Sequence, residues 1–255
     1  MRIAIIGMGV VGSAQARAFG NHELVTYDPG MNPEYPAGDV ARCDFAVICT
    51  GTPQAEDGHA DLGDFREAAS RLPAGLPVLI RSTVPPGTTR AFAESRSGHT
   101  VFCPEFMHER EGGTWKESWQ VPWLILGGTP EATAWFRDRI TAAGYPGTVC
   151  ECPATVAELS KYTANLYWAA RVTFVNEMDA ICGAFGADWE QVRQAWLRDE
   201  RVDPAYTAME GFPPGFGGRC LPKDLAALIA ASGDAGHKAQ FLEAIQDANG
   251  RFRDA

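Results

Sequence analysis

The stretch Pro213–Leu225, PPGFGGRCLPKDL, sets a single cysteine, Cys220, after a glycine-rich, bend-prone run. Lys223 and Asp224 follow three and four residues later. A thiol attacks a carbonyl carbon as its thiolate, and a nearby cation such as Lys223 favours that form. The pattern points to a covalent bond between Cys220 and a substrate carbon. The plainer reading is a small buried hydrophobe.

Three further segments carry groups suited to the same chemistry. AELSKYTANL places Lys161 and Asn165 four residues apart, so one helix face presents both. PEF, Pro104–Phe106, follows an apolar run and offers the carboxylate of Glu105. STVPPGTT, Ser82–Thr89, follows another such run, where the hydroxyls of Ser82 and Thr83 face a ligand at the carboxyl edge of a sheet. A solvated lysine and a turn-capping glutamate are the ordinary alternatives for Lys161 and Glu105. Trp115, Trp119 and Trp123 read as packing, and His22, His59 and His99 as polar loop residues without a catalytic task.

GMGVVG supplies Gly7, Gly9 and Gly12 in a GxGxxG pattern after a strand and at the opening of a helix. Glycines there permit a tight turn and let a pyrophosphate approach the helix N-terminus. Asp28 ends the next apolar run, 21 residues after Gly7. A carboxylate at that position accepts from a ribose 2′-hydroxyl and repels a 2′-phosphate, which favours NAD over NADP. The motif alone is weak; its strand–turn–helix context strengthens it.

The elements that must position these groups fall into two parts. Apolar runs at Arg2–Gly7, Glu23–Asp28, Phe45–Thr50, Pro77–Thr83, Thr100–Phe106 and Val121–Leu126 read as strands. Helices are expected over Val10–Phe19, Leu62–Leu72 and Pro130–Ala143. Continuous apolar strands alternating with helices predict a mostly parallel, doubly wound sheet of Rossmann type, covered on both faces. From Ala154 to Ala184 the chain holds no proline and one glycine, so one long helix or two nearly continuous ones are expected. Shorter helices follow at Asp188–Arg198, Lys223–Ala231 and Gly236–Arg253. The expected division is an NAD-binding domain over 1–152 and a smaller all-helical domain over 153–255 carrying Cys220. PGMNPEYPAGDVARCD, between Asp28 and Phe45, is proline-rich and shows no helical periodicity.

Composition sets outer limits. The chain has 255 residues, of which 45% are hydrophobic and 21% charged, enough for a sizeable core and too ordered a mixture for disorder. A net charge of −10 disfavours nucleic acid and offers no basic cluster for a membrane surface. Seven scattered cysteines without a CxxC pair read as reduced thiols of a cytoplasmic protein, and no metal site is expected. Cys150 and Cys152 have no ligand partners at metal spacing and read as buried or strand-edge thiols. The N-terminus reads as strand and turn, not as a signal peptide, and no stretch approaches a membrane span.

Taken in order, GMGVVG, VICTGTP, STVPPGTT, PEF, AELSKYTANLYWAARVTFVNE and GFGGRCLPKDL resemble the UDP-glucose/GDP-mannose 6-dehydrogenase family across nearly the whole chain. The resemblance implies a four-electron oxidation of a primary alcohol to a carboxylate with NAD. It places cofactor contacts at Gly7, Gly9, Val10, Val11, Gly12, Asp28, Thr50, Gly51, Thr52, Ser82, Thr83, Glu105 and Lys223. Substrate contacts fall at Phe106, Lys161, Asn165, Arg201, Phe216, Gly217 and Cys220. In the implied chemistry, a water held by Thr83 and Asp224 takes the hydroxyl proton as hydride leaves. Lys161 and Asn165 stabilise the oxyanion. Cys220 adds to the aldehyde, a second oxidation gives a thioester, and water assisted by Glu105 as base releases the acid.

The family continues into a third, Rossmann-like domain that holds much of the sugar nucleotide, whereas this sequence stops after FLEAIQDANGRFRDA, so a short form without that domain is expected. The substrate alcohol is accordingly a nucleotide sugar, a nucleotide or a nucleoside. Arg201 matches a position that reaches substrate across a dimer, and Arg219 either binds an anionic group or faces solvent. The resemblance also implies a homodimer paired along the long helix, whose Leu159, Leu166, Phe174 and Val175 exceed what one small domain needs. Two rivals stand beside this reading: a two-electron β-hydroxyacid-type dehydrogenase using Lys161 without Cys220, and a non-catalytic NAD-binding module.

Overall fold

The computed structural model describes residues 1–107 and 121–254. Trp115 and Trp119 lie outside them. The chain divides into two compact units, one of residues 1–53 and 61–161 and the other of residues 54–60 and 162–255.

The first unit is built on a seven-stranded sheet in the order β2-β1-β3-β4-β5-β6-β7. β1 (Arg2–Ile6), β2 (Glu23–Tyr27), β3 (Phe45–Ile48), β4 (Val78–Ile80) and β5 (Thr100–Phe102) run parallel. β6 (Trp123–Gly127) meets β5 antiparallel through Phe102 and Gly127, and β7 (Thr148–Cys152) pairs parallel with β6. Ile3, Phe45, Val47, Leu79, Val101 and Leu126 are buried along the strands, joined by Phe136 and Ile140 of α5 (Pro130–Ala142). Burial on both faces is why these strands are apolar throughout instead of alternating. α1 (Val10–Ala18), α3 (Gly63–Ser70) and α4 (Thr88–Glu94) complete the connections.

Three elements depart from the expected pattern. α2 (Ala37–Val40) is a single helical turn inside the segment read as non-helical; four residues are too few to show a period. α4 was not expected, because its opening residue is a glycine without a capping side chain. β7 has a half-exposed pattern and lies at the sheet's edge, so its TVCEC sequence lacks the apolar run of an inner strand. Cys150 on it is exposed.

α6 (Ala154–Ala184) is one unbroken helix of 31 residues and passes from the first unit into the second. The second unit adds α7 (Trp189–Trp196), α8 (Leu221–Asp234) and α9 (Gln240–Asp254). Its main core joins Tyr162, Leu166 and Ala169 of α6 to Phe216, Leu225, Ala227 and Ile245. A smaller cluster holds Val175, Cys182 and Trp189. Leu166 and Val175, expected on a free apolar face, therefore belong to the core, while Leu159 and Phe174 are exposed. Positions 174 and 175 lie about 100° apart around the helix, so one faces in and the other out. Leu159 and Leu166, seven residues apart, share a face, and Leu166 is covered by the core around Phe216, Leu225 and Ile245. No helix among the described residues is long and apolar enough to cross a membrane.

Candidate active site

The strand order turns at β1, with β2 on one side and β3 on the other, and such a reversal opens a crevice at the strands' carboxyl ends. A cleft of about 400 Å³ lies there, lined among others by Gly7, Gly9, Asp28, Thr50 and Gly51. A larger groove of about 570 Å³ between α3 and α4 contains none of the residues expected to do chemistry except the periphery of the Ser82–Thr89 loop at Thr88.

The glycine turn fits its motif in detail. Gly7 adopts φ +91°, and a Cβ there would sit 2.8 Å from the Cys49 backbone. A Cβ on Gly12 would fall 1.8 Å from the Gly7 carbonyl oxygen, so only glycine lets α1 pack this close. Gly9 caps α1 without a side-chain bond, and a Cβ on it would meet nothing within 4 Å. The mouth of the helix, with Val10 and Val11 in its first turn, is thus left open for an anion. Asp28 accepts from the Met8 amide at 2.8 Å and the Gly30 amide at 2.9 Å, which fixes its carboxylate beside that mouth. These residues fit a dinucleotide.

Sequence reasoning overlooked α3 as a wall of this cleft. Its C-cap residue Arg71 pairs with Glu67 at 2.5 Å, and its guanidinium lies 5.8 Å from the Tyr27 ring centre and 5.4 Å from that of Tyr35. Neither Glu67 nor Arg71 stands in a motif, so nothing in their spacing announces them.

At the ends of β3 and β4 the hydroxyls are mutually engaged. Thr50 and Ser82 hydroxyls lie 3.2 Å apart, the Ser82 hydroxyl donates to the Thr50 carbonyl at 2.8 Å, and Thr52 donates to the Thr83 carbonyl at 2.7 Å. Ser82 and Thr52 are buried, while Thr83 is half-buried.

Glu105, after β5, is 8% exposed and bonds the guanidinium of Arg81, itself 3% exposed. Its other oxygen accepts from the Met107 amide at 3.0 Å. Arg81 also donates to the Cys103 sulfur at 2.6 Å. Arg81 is a third residue the motifs do not reveal; its only signal is a charge inside the apolar run PVLI-R-ST. Burial pushes the Cys49 thiol up to about 12 and also raises that of Cys103, with Arg81 pulling the other way in both. Phe106 lies edge-on to Trp123 at 4.9 Å, and the Lys161 ammonium stands 5.3 Å from the Phe106 ring centre.

In the second unit, Asp224 is 1% exposed. Asn165 donates to one of its oxygens at 2.5 Å and the Lys223 ammonium to the other at 2.5 Å. The three come together because α8 opens at Leu221 with Pro222 in its first turn, two residues earlier than expected. Cys220 is the N-cap of α8 and exposed. The glycine run before it is strapped down: the Gly215 amide donates to the Asn176 side-chain oxygen at 2.9 Å, and the Phe216 amide donates to the Asn249 side-chain oxygen at 2.6 Å while its carbonyl accepts from the Asn249 side-chain NH2 at 3.0 Å. The Phe216 ring lies in the core and Gly217 is half-buried, while Gly218, Arg219 and Cys220 after them are exposed. Arg201 is well exposed and pairs with Asp199 at 2.6 Å, and Arg219 is exposed.

Comparison with known proteins follows the same layout. Residues 34–143 match the NAD binding domain of the UDP-glucose/GDP-mannose dehydrogenase family, and residues 155–251 match its central domain. The UDP-glucose 6-dehydrogenase YwqF of Bacillus subtilis is 31% identical over 88% of this chain and 52% of the relative. The UDP-glucose 6-dehydrogenase AglM of Haloferax volcanii is 30% identical over 98% of this chain and 69% of the relative. The structure of a UDP-glucose dehydrogenase from Pyrobaculum islandicum superposes with a TM-score of 0.82 at 28% identity, over 99% of this chain and 68% of that one. The chain spans about half to two thirds of the length of the curated relatives it matches. Both domain matches and the shared fold lead to one assignment: the chain belongs to the UDP-glucose/GDP-mannose dehydrogenase family.

Proposed function

We propose that this chain oxidises the primary alcohol of a nucleotide sugar to a carboxylate, with NAD as cofactor and Cys220 as covalent nucleophile. The observation that carries the reading is the buried group around Asp224, whose oxygens are held by Asn165 and Lys223 at 2.5 Å each, one helical turn from Cys220. What supports an acid–base role for this carboxylate is its place in the GFGGRCLPKDL motif, four residues after an exposed thiol.

NAD, held by the Gly7–Gly12 turn and Asp28, supplies the hydride acceptor for each two-electron oxidation. The chain's own residues do the rest. Asp224, through a water bound with Thr83, removes the hydroxyl proton. Lys161 and Asn165 donate to the oxygen as charge gathers on it. The Cys220 sulfur forms a C–S bond to the aldehyde carbon, giving a thiohemiacetal whose oxidation leaves a thioester. Water cleaves the C–S bond, the thiol regains its proton, and Glu105, aimed by Arg81 and the Met107 amide, orients that water. Two cofactors are reduced for each acid released.

Counting NADH against a limiting amount of UDP-glucose tests this directly. Two per substrate is the expected result; one favours a two-electron hydroxyacid dehydrogenase, and saturable NAD binding without turnover on any alcohol favours a binding module. We further propose a homodimer along the exposed apolar positions of α6, Leu159, Tyr167, Phe174 and Ile181. Light scattering should give twice the chain mass, and a monomer at micromolar concentration would reject the dimer.

A further inference from the structure

Glu158 stands on α6 three residues before Lys161, and none of the roles above uses it. It is 0% exposed. A carboxylate buried so completely requires donors that answer its charge. Its two oxygens accept from the backbone amides of Gly87 at 2.6 Å and Thr89 at 2.8 Å. Those amides open α4, whose N-cap is Gly87 itself, at φ +95° and with no side chain to close the helix end. A side chain some seventy residues away thus takes the place of a local cap and meets the positive end of the helix. Gly87 and Thr89 also close the loop that begins with Ser82 and Thr83.

We propose that Glu158 is a positioning residue: its carboxylate fastens the Ser82–Thr89 loop to the helical turn that presents Lys161, so that Thr83 and Lys161 hold one spacing through the reaction. The same turn carries the Lys161 ammonium over the Phe106 ring at 5.3 Å, which ties it to the segment after β5 as well. The inference rests on the reading of Thr83 and Lys161 given above. Burial raises the pKa of Glu158, opposed by the bonds from Thr89 and Gly87 and by the charge of Arg90. The ionised form accepts both amides; the protonated form turns a donor toward one of them.

Glu158→Gln in the full chain, assayed with UDP-glucose and NAD, separates positioning from plain stability. The kcat should fall about 10- to 100-fold, as for reacting groups displaced by about 1 Å. The KM for NAD, and the affinity for ADP-ribose measured by calorimetry, should stay within about twofold, because the glycine turn is untouched. Hydrogen exchange at the Gly87 and Thr89 amides should accelerate by about 10-fold or more. The ratio of wild-type to variant kcat should shrink as pH falls, since protonated Glu158 resembles glutamine. If Glu158→Gln does not fold, Gly87→Ala, strained at its left-handed φ, loosens the same contact from the other side and should show the same split. Unchanged kcat beside fast amide exchange would overturn the proposal, and so would unchanged exchange. Should the wild type show no turnover, the dehydrogenase reading fails, while slow exchange at both amides that Glu158→Gln abolishes would still establish the fastening; exchange indifferent to the substitution would remove it.

Discussion

Cysteines at two places in this molecule have opposite surroundings. Cys49 and Cys103 sit at the ends of β3 and β5, buried beside Arg81, and burial drives both thiols up, Cys49 to about 12. Cys220 caps α8 at the surface, with the amides of a helix start beyond it and a glycine run before it. Thiolates are penalised in apolar interiors. Chemical type is the same in both regions; exposure decides which sulfur a molecule in solution can reach.

The sharpest way to break that contrast is Cys220→Ser. Acid formation should drop by at least about 10³-fold, as when a covalent nucleophile is removed, with aldehyde or a stalled adduct building up. Acid released at the wild-type rate, followed by chromatography of the products, would take the sulfur out of the mechanism. Next in size is Arg81→Met, which removes the Arg81 cation from the buried Glu105 carboxylate. A loss of about 3–5 kcal/mol in denaturant unfolding is expected, and Arg81→Met combined with Glu105→Gln should recover much of it. Equal stability of the single and double variants would show that the pair is not coupled.

A smaller effect belongs to Asp224→Asn, with kcat lower by about 10²-fold and the fold retained, because the new amide keeps its oxygen for Lys223 and the Asn165 side chain can turn its own oxygen to the new NH2. Stopped-flow measurement of the first NADH formed would locate the loss in the alcohol oxidation. Smallest is the alkaline response of the buried thiols. The folded Cys49 value lies above the ordinary 9.0, so its contribution to stability is complete below pH 9 and drains away as pH climbs toward about 12. Cys49→Ala should flatten that decline in thermal melts taken from pH 8 to 11. A maleimide at neutral pH should label Cys220 and the exposed Cys150 in the folded chain, and reach Cys49 and Cys103 only after unfolding.

What the sequence discloses and what it hides divide along physical lines. Inner strands such as Phe45–Ile48 are legible because burial on both faces demands an unbroken apolar run. Gly7 and Gly12 are legible because their close approaches admit no side chain. β7 is hidden because an edge strand need not be apolar, and α4 because its cap comes from Glu158, 71 residues beyond Gly87. Asp224 announces itself beside Cys220, but its bond to Asn165 spans 59 residues, and Arg81 finds Glu105 only once β4 and β5 lie side by side. Local spacing reports periodicity and turns; partners joined by the fold leave no mark in it.

The unbroken passage of α6 through Lys161 and Asn165 has an evolutionary corollary. Adding or deleting one residue between them would swing everything downstream by about 100° around the axis and slide it by about 1.5 Å. An exposed turn can shorten or lengthen at little cost, whereas this stretch behaves like a keyed shaft, tolerant of substitution on its outer side and intolerant of any change in count.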